Sequence, residues 1–299
     1  MNCWFLGTSG PLGTATLKAL LDGNAPITHV VIADDTPAAT TSAPEASPLK
    51  VAIENNLFAL AHLHDVSHSH LADNGNAGIH DHIKSTATRL GRPTLIVVSC
   101  LGTILSREVL ALASDGFYNV HPSRLPAYRG PSPAFWQLRD KASTGGVSVH
   151  RMTEHIDAGE SVYREHVAWP DAIVEQLAEA LAGAQAGQWL SGALARLTSL
   201  PPLAPADVDS YQSEPAAGDF DIDASKWTAP EALRFIRGTY WRRQPYHIHA
   251  RKWHAIVVHA SSVRERTANA APVGTGDTVF LPMACGRELV AEGVLNPSD

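Results

Sequence analysis

Cysteine is scarce in this chain, with only Cys3, Cys100 and Cys285 among 299 residues. Thiols so few, odd in number and far apart supply neither a disulfide framework nor a Cys-x-x-Cys metal or redox motif. Long apolar runs are missing too: none approaches the roughly 20 residues that cross a bilayer. Met1-Asn2-Cys3-Trp4-Phe5-Leu6 is too short for a signal peptide and lacks its basic flank. The expectation is a chain with no membrane segment and a cytoplasmic location. Positive charge is in deficit as well, with 23 Lys and Arg against 30 Asp and Glu and a formal net charge of -7. A protein that grips a polyphosphate backbone normally presents a basic surface, so this balance disfavours nucleic acid as the principal partner.

What is there is ordinary for a globular chain: 44% hydrophobic and 18% charged residues, which excludes global disorder and permits two domains with their own cores. An apolar run from Asn2 to Leu6 leads into Gly7-Thr8-Ser9-Gly10-Pro11-Leu12-Gly13, then into helical spacing at Leu17, Leu20 and Leu21. Ile27 to Ala33 reads as a second strand ending at Asp34-Asp35. Three glycines at this turn and an acid roughly 20 residues on imitate a dinucleotide-binding βαβ unit. An NAD(P)-dependent oxidoreductase or epimerase is therefore one reading. It has little support, because glycines serve any tight strand-to-helix reversal and no Tyr-x-x-x-Lys pair is present.

Thr36 to Pro48, rich in Ala, Thr, Ser and Pro, reads as an exposed loop. Leu57 to Val66 alternates loosely and reads as a strand. His62, His64, His68, His70, His80 and His82 follow; imidazoles so spaced can ligate a metal. With polar neighbours and nothing else to support a metal, they read instead as exposed turn and helix-end residues. Ile79 to Leu90 is a predicted helix, and Thr94 to Cys100, the most β-rich run, a central parallel strand. Pro131 to Arg139 reads as a helix whose Phe135 and Trp136 belong to a core. Ser161 to Ala168 reads as a strand, and Asp171 to Leu197 as one long helix capped by Asp171.

Chemistry concentrates in two stretches. Gly116 to His121 has strand character and runs into Pro122, and residues two apart on a strand share a face, so Asn119 and His121 project side by side. Gly145 to Met152 alternates like another strand and leads to His155-Ile156-Asp157-Ala158-Gly159, where Asp157 becomes a loop carboxylate. Singly, each of these residues is a common turn or cap residue. Together, an amide, an imidazole and a carboxylate with no covalent nucleophile or metal suit acyl transfer to an amine, in which an oxyanion is stabilised and one proton moved.

Asn-Val-His-Pro-Ser-x-Leu-Pro-x-Tyr-Arg-Gly over 119–130, followed by Val-Ser-Val-His-Arg-Met and Asp157-Ala158-Gly159, closely resembles the 10-formyltetrahydrofolate-dependent formyltransferases. That family includes methionyl-tRNA formyltransferase, the amino-sugar N-formyltransferases and glycinamide ribonucleotide transformylase. The resemblance implies an α/β fold: a Rossmann-like catalytic domain with a mostly parallel sheet over residues 1–200. After a proline-marked linker over 201–218 it implies a small β-rich, OB-like domain over 219–299. The strand-like pieces of that second domain are Tyr246 to Ala250, Ala255 to Ala260 and Thr278 to Leu281, after a helix from Ala229 to Gly238. Arg234, Arg237, Arg242, Arg243, Arg251 and Lys252 lie among Tyr240, Trp241 and Trp253, a pattern read as a solvated helix face with amphipathic packing.

The resemblance also implies roles. Asn119, His121 and Asp157 are the catalytic residues, with Asn119 donating to the oxyanion and Asp157 keeping His121 protonated. The folate site is carried over to Thr103, Ile104 and Leu105, to Ser123, Arg124, Leu125 and Pro126, and to His155, Ile156 and Asp157. Position 124 departs from the family's Ser-Leu-Leu-Pro by holding Arg. The expected partners are the co-substrate 10-formyltetrahydrofolate and a small-molecule amine of amino-sugar, amino-acid or hydroxyornithine type, with no metal. Residues 36–48 contain no Lys or Arg where the tRNA-acting relatives carry a long basic loop. Against that, Ser47-Pro48-Leu49-Lys50, which reads as a helix start, and the two-domain layout keep methionyl-tRNA formyltransferase open as the alternative.

Overall fold

Cys3–Gly7 (β1) and Leu95–Ser99 (β4) are buried along their whole length, as short apolar runs rich in β-branched and aromatic side chains must be when both faces of a sheet are covered. They pair in parallel at the centre of a seven-stranded sheet in a computed structural model that describes residues 1–33, 56–204, 206, 208–266 and 271–297. The remaining strands are Ile27–Ile32 (β2), Ser67–His70 (β3), Phe117–His121 (β5), Gly145–Arg151 (β6) and Ser161–Val167 (β7). The order is β3-β2-β1-β4-β5-β6-β7. Pairing is parallel from β3 to β5 and antiparallel from β5 to β7. The expectation of a mostly parallel α/β sheet is met.

Helices α1 (Pro11–Asp22), α2 (Leu57–Leu63), α3 (Asn76–Leu90) and α4 (Arg107–Leu110) alternate with these strands. Later come α5 (Pro133–Arg139) and α6 (Glu175–Ala193). The chain leaves β1 toward β2 on one side and returns to β4 on the other, so strand order reverses between them. A crevice opens at such a switch point, beyond the carboxyl ends of the strands. The glycines that imitate a dinucleotide motif have a packing reason. A Cβ on Gly7 would strike the Ser99 carbonyl, and one on Gly13 the Thr8 carbonyl.

Three expectations need correction. Leu57 to Val66 is not a strand: Asn56 accepts the Ala59 N–H at 3.2 Å and starts α2, which buries Leu57, Leu60 and Ala61 at helical spacing. The long helix begins at Glu175, not Asp171, and gives way to a 3-10 segment over Leu194–Ser199. The histidine-rich stretch contributes an edge strand, β3, where Ser67 and Ser69 alternate with His68 and His70. Residues 36–48 and the start expected at Ser47 lie outside the described residues.

The serines of β3 meet a buried histidine. His29 Nδ1 lies 2.8 Å from Ser67 Oγ, His29 Nε2 lies 2.8 Å from Ser69 Oγ, and Ser69 Oγ lies 2.7 Å from His82 Nε2. Ser67 Oγ donates to the Thr28 carbonyl at 2.8 Å, so it accepts from His29 Nδ1–H. Nε2 of His29 is then the acceptor for Ser69, which in turn accepts from His82 Nε2–H. The chain of donors runs one way, from α3 to β2, through a neutral His29. Burial, with His82, His68 and Arg89 adding to it, lowers the His29 imidazole to about 4.

Two compact units divide the chain. The first comprises 1–133, 144–168 and 176–212; the second comprises 134–143, 169–175 and 213–299. The expected linker, 201–218, is thus shared between them. The second unit holds a six-stranded, mostly antiparallel sheet of Asp221–Asp223 (β8), Tyr246–Ala250 (β9), Trp253–Glu265 (β10), Val273–Thr275 (β11), Thr278–Pro282 (β12) and Arg287–Pro297 (β13). Its helix α7 (Ala229–Thr239) is started by a capping box between Thr228 and Glu231. Phe135 is fully buried there against Phe220 and Phe235, as expected of a core aromatic. Two of the basic residues of this region are tied down within the unit: Arg242 pairs with buried Glu175 at 2.7 Å and Arg234 donates to the Lys141 carbonyl at 2.8 Å.

Candidate active site

A cavity of about 190 Å³ opens beyond the carboxyl ends of β4 and β5. Asn119 and His121 enter it from β5, as period-two alternation requires. β6 runs antiparallel beside β5 in a register that sets His150 directly opposite Asn119, so those two side chains emerge on one face. The loop after β6 brings Asp157, held at φ 47°, a left-handed conformation that Asp tolerates better than most residues. Asn119, His121, His150 and Asp157 all line the cavity.

The four groups form a tight cluster. Asn119 Nδ2 lies 3.2 Å from His150 Nε2, and His150 Nδ1 lies 3.2 Å from the Arg151 carbonyl. That carbonyl can only accept, so Nδ1 carries the hydrogen and Nε2 takes one from the Asn119 amide. The second amide hydrogen of Asn119 remains for the cavity. Asp157 stands between both imidazoles, its Oδ2 3.6 Å from His121 Nδ1 and its Oδ1 3.5 Å from His150 Nε2. Gly130 N–H donates to Asp157 Oδ2 at 2.9 Å. His121 donates Nε2–H to the Tyr128 carbonyl at 2.8 Å.

Burial opposes charge on Asp157, but the His121 imidazole and the Gly130 N–H, with the His150 ring alongside, outweigh it and bring the carboxyl to about 2. Burial also lowers the His121 imidazole, against the pull of Asp157. These two tendencies compete, since a charged ring favours the carboxylate while burial resists charging the ring. The Gly130 N–H and the two rings all favour the ionised carboxylate, and His121 is the partner with which it can exchange charge. Cys100 is no competing nucleophile: burial, aided by Glu179, pushes its thiol up to about 12.

Of the ten positions carried over for folate, Thr103, Ile104, Leu105, His155, Ile156 and Asp157 line the cavity. Ser123, Arg124, Leu125 and Pro126 do not. Ser123 is buried and donates to the Ala127 carbonyl at 2.6 Å, Leu125 N–H donates to Ser148 Oγ at 3.0 Å, and Arg124 is exposed. This segment shapes the 126–130 loop from behind. The cavity's lining mixes apolar residues, among them Val98, Leu101 and Met152, with polar ones, a composition that suits a flat heteroaromatic ring with polar edges. His150, which the sequence reading did not count among the candidate catalytic residues, lines the cavity with them. Its signal, the register of β5 against β6, is not written in either strand alone. Among the described residues no group of three or more His, Cys, Asp or Glu is placed to hold a metal ion, and no helix is long and apolar enough to cross a membrane.

Comparison with known proteins bears on the family and the fold. Methionyl-tRNA formyltransferase of Magnetococcus marinus is 31% identical over 162 residues, covering 53% of this chain and 47% of that protein; the chain thus spans about half the length of the curated relative it matches. Two solved structures share the fold over nearly the whole chain. The N-formyltransferase from Helicobacter canadensis, in complex with folinic acid and dTDP-3-aminofucose, superposes with a TM-score of 0.66 at 12% identity, covering 98% of this chain and 100% of that one. WlaRD, a sugar 3N-formyl transferase crystallised in the presence of dTDP and 5-N-formyl-THF, gives 0.65 at 12% identity, covering 98% of each chain. The sequence profile described as Formyl transferase matches residues 1–194, the stretch that builds the whole seven-stranded sheet and all four cavity residues, and the chain belongs to the formyl transferase family.

Proposed function

We propose that the protein moves a formyl group from 10-formyltetrahydrofolate to the amine of a small molecule such as an amino sugar, an amino acid or a hydroxyornithine. The observation that carries this reading is the convergence of Asn119, His121, His150 and Asp157 on one cavity at the strand carboxyl ends. When bound, the folate supplies the one-carbon unit at the formyl level. The chain supplies electrostatics and proton transfer. Asn119, oriented by His150, offers its amide N–H where negative charge builds on the formyl oxygen. The Asp157–His121 pair takes the proton that the attacking amine loses and delivers it to the departing nitrogen. While His121 holds that proton, Asp157 stabilises the imidazolium and the added positive charge favours the oxyanion.

A small acceptor is supported by the acidic balance of the chain and by the absence of Lys and Arg from 36–48. The second reading, methionyl-tRNA as acceptor, draws on the 31% identity to the Magnetococcus marinus enzyme. Release of tetrahydrofolate from 10-formyltetrahydrofolate, measured against a panel of nucleotide-linked amino sugars, amino acids, hydroxyornithine and charged initiator tRNA, separates the two. Turnover with an amino compound supports the first reading. Turnover with the tRNA alone overturns it in favour of the second.

A further inference from the structure

Residues 209–212, expected as part of a linker, run alongside the 126–130 loop. Ser210 N–H donates to the Pro126 carbonyl at 3.1 Å, Arg129 N–H donates to the Ser210 carbonyl at 2.9 Å, and Gln212 N–H donates to the Arg129 carbonyl at 2.9 Å. Ser210 Oγ accepts the Tyr128 N–H at 2.9 Å, and Arg129 pairs with Asp209 at 2.9 Å. Gly130 sits at φ 113°, and a Cβ there would collide with the Gln212 carbonyl. The loop's conformation is thus matched to the strap beside it.

Two peptide planes in this loop face both ways. In the Tyr128–Arg129 peptide, the carbonyl accepts from His121 Nε2 while the N–H donates to Ser210. In the Arg129–Gly130 peptide, the carbonyl accepts from Gln212 while the N–H donates to Asp157. A peptide is rigid and planar, with its C=O and N–H pointing in opposite directions. Turning the end on the strap therefore turns the end on the acid–base pair. Tyr128 itself is held at φ 58°, a conformation that a bulky residue adopts only where its surroundings enforce it.

We infer that residues 209–212 form a positioning element for the His121–Asp157 pair, acting through two peptide planes that carry a strap bond at one end and a catalytic side chain at the other. The segment touches neither acceptor nor folate in this account; it sets the tautomer and direction of His121 and the direction of the Asp157 carboxylate. The inference rests on the formyl-transfer reading for its kinetic consequence, though not for its structural one.

Full-length Ser210→Ala, Ser210→Thr and Gln212→Pro variants test it, the last removing one strap N–H. Tetrahydrofolate release is followed as kcat and KM, alongside thermal melting and the 15N–1H signals of the His121 ring. Loss of one net hydrogen bond corresponds to about a threefold to tenfold change. Ser210→Ala is expected to lower kcat by that factor with KM within about twofold of wild type, while shifting the His121 Nε2 signal; Ser210→Thr restores both. Gln212→Pro removes a bond in one of the two planes and is expected to lower kcat at least as far; if it does not fold, an amide-to-ester replacement at 212, which removes the same N–H, decides. Wild-type kcat and unshifted His121 signals when the 212 N–H is removed overturn the inference. A wild-type protein that turns over no acceptor overturns the formyl-transfer reading instead, and the ring signals still decide the role of the strap.

Discussion

Asp157 Oδ2 lies 3.6 Å from His121 Nδ1 while accepting the Gly130 N–H at 2.9 Å. The carboxylate is therefore anchored by main chain and only approached by the imidazole, which leaves the ring free to gain and lose a proton without losing its carboxylate partner. In Asp157→Asn the neighbouring groups stay and the charge goes. The expected outcome is near-complete loss of formyl transfer with folate still bound, read by single-turnover kinetics and by folate titration of the same preparation.

In the proposed mechanism Asn119 is the donor aimed at developing charge. Asn119→Ala is expected to lower kcat about 10²- to 10³-fold, the usual cost of one such donor, with an unchanged melting temperature. A variant within about twofold of wild type removes Asn119 from the mechanism.

In the same proposal His150 orients that amide from the neighbouring strand. His150→Ala is expected to lower kcat about tenfold, the scale of one lost positioning hydrogen bond, because Asn119 then rotates among partners. Comparing His150→Ala, Asn119→Ala and the double variant checks this: the effects should be strongly non-additive, since each acts through the same amide.

That Asn119 and His121 enter one cavity was legible because period-two alternation puts them on one face of β5 whatever the neighbours do. Asp157 was legible from its place before a glycine turn and from the two-part motif. His150 was not, since its meeting with Asn119 depends on strand register, a tertiary fact. α2 was misread because Leu57, Leu60 and Ala61 are few enough to fit either period, and the deciding signal was the Asn56 cap. Segment 201–218 reads as a linker because three of its bonds to the 126–130 loop are made between main-chain groups, which leave no trace in side-chain identity.

The buried Asp157 carboxyl also predicts a pH dependence of stability. Its folded value of about 2 lies below the ordinary 3.8, so the stabilisation is present above the ordinary value and is lost as pH falls toward 2. The amount is about 2 kcal/mol. Urea unfolding of wild type and Asp157→Asn between pH 5 and 2, pH values spanning this window, should give curves that converge at the acid end.

His29 predicts a second, separate window. Its folded value of about 4 lies below the ordinary 6.5, so the unfolded chain binds the extra proton between those values. Stability is full above the ordinary value and falls by up to about 3 kcal/mol as pH drops to 4. His29→Gln should flatten the wild-type decline across that range, measured by urea unfolding at a series of pH values.

The most direct test of formyl transfer follows the carbon itself. 10-Formyltetrahydrofolate labelled with 13C in the formyl group is incubated with the protein and the best acceptor from the amine panel, and the 13C spectrum is recorded. The account predicts a new formamide resonance on the acceptor with wild type and none with Asp157→Asn. Label that stays on the folate, or appears only as free formate, with every amine and with the charged tRNA contradicts it.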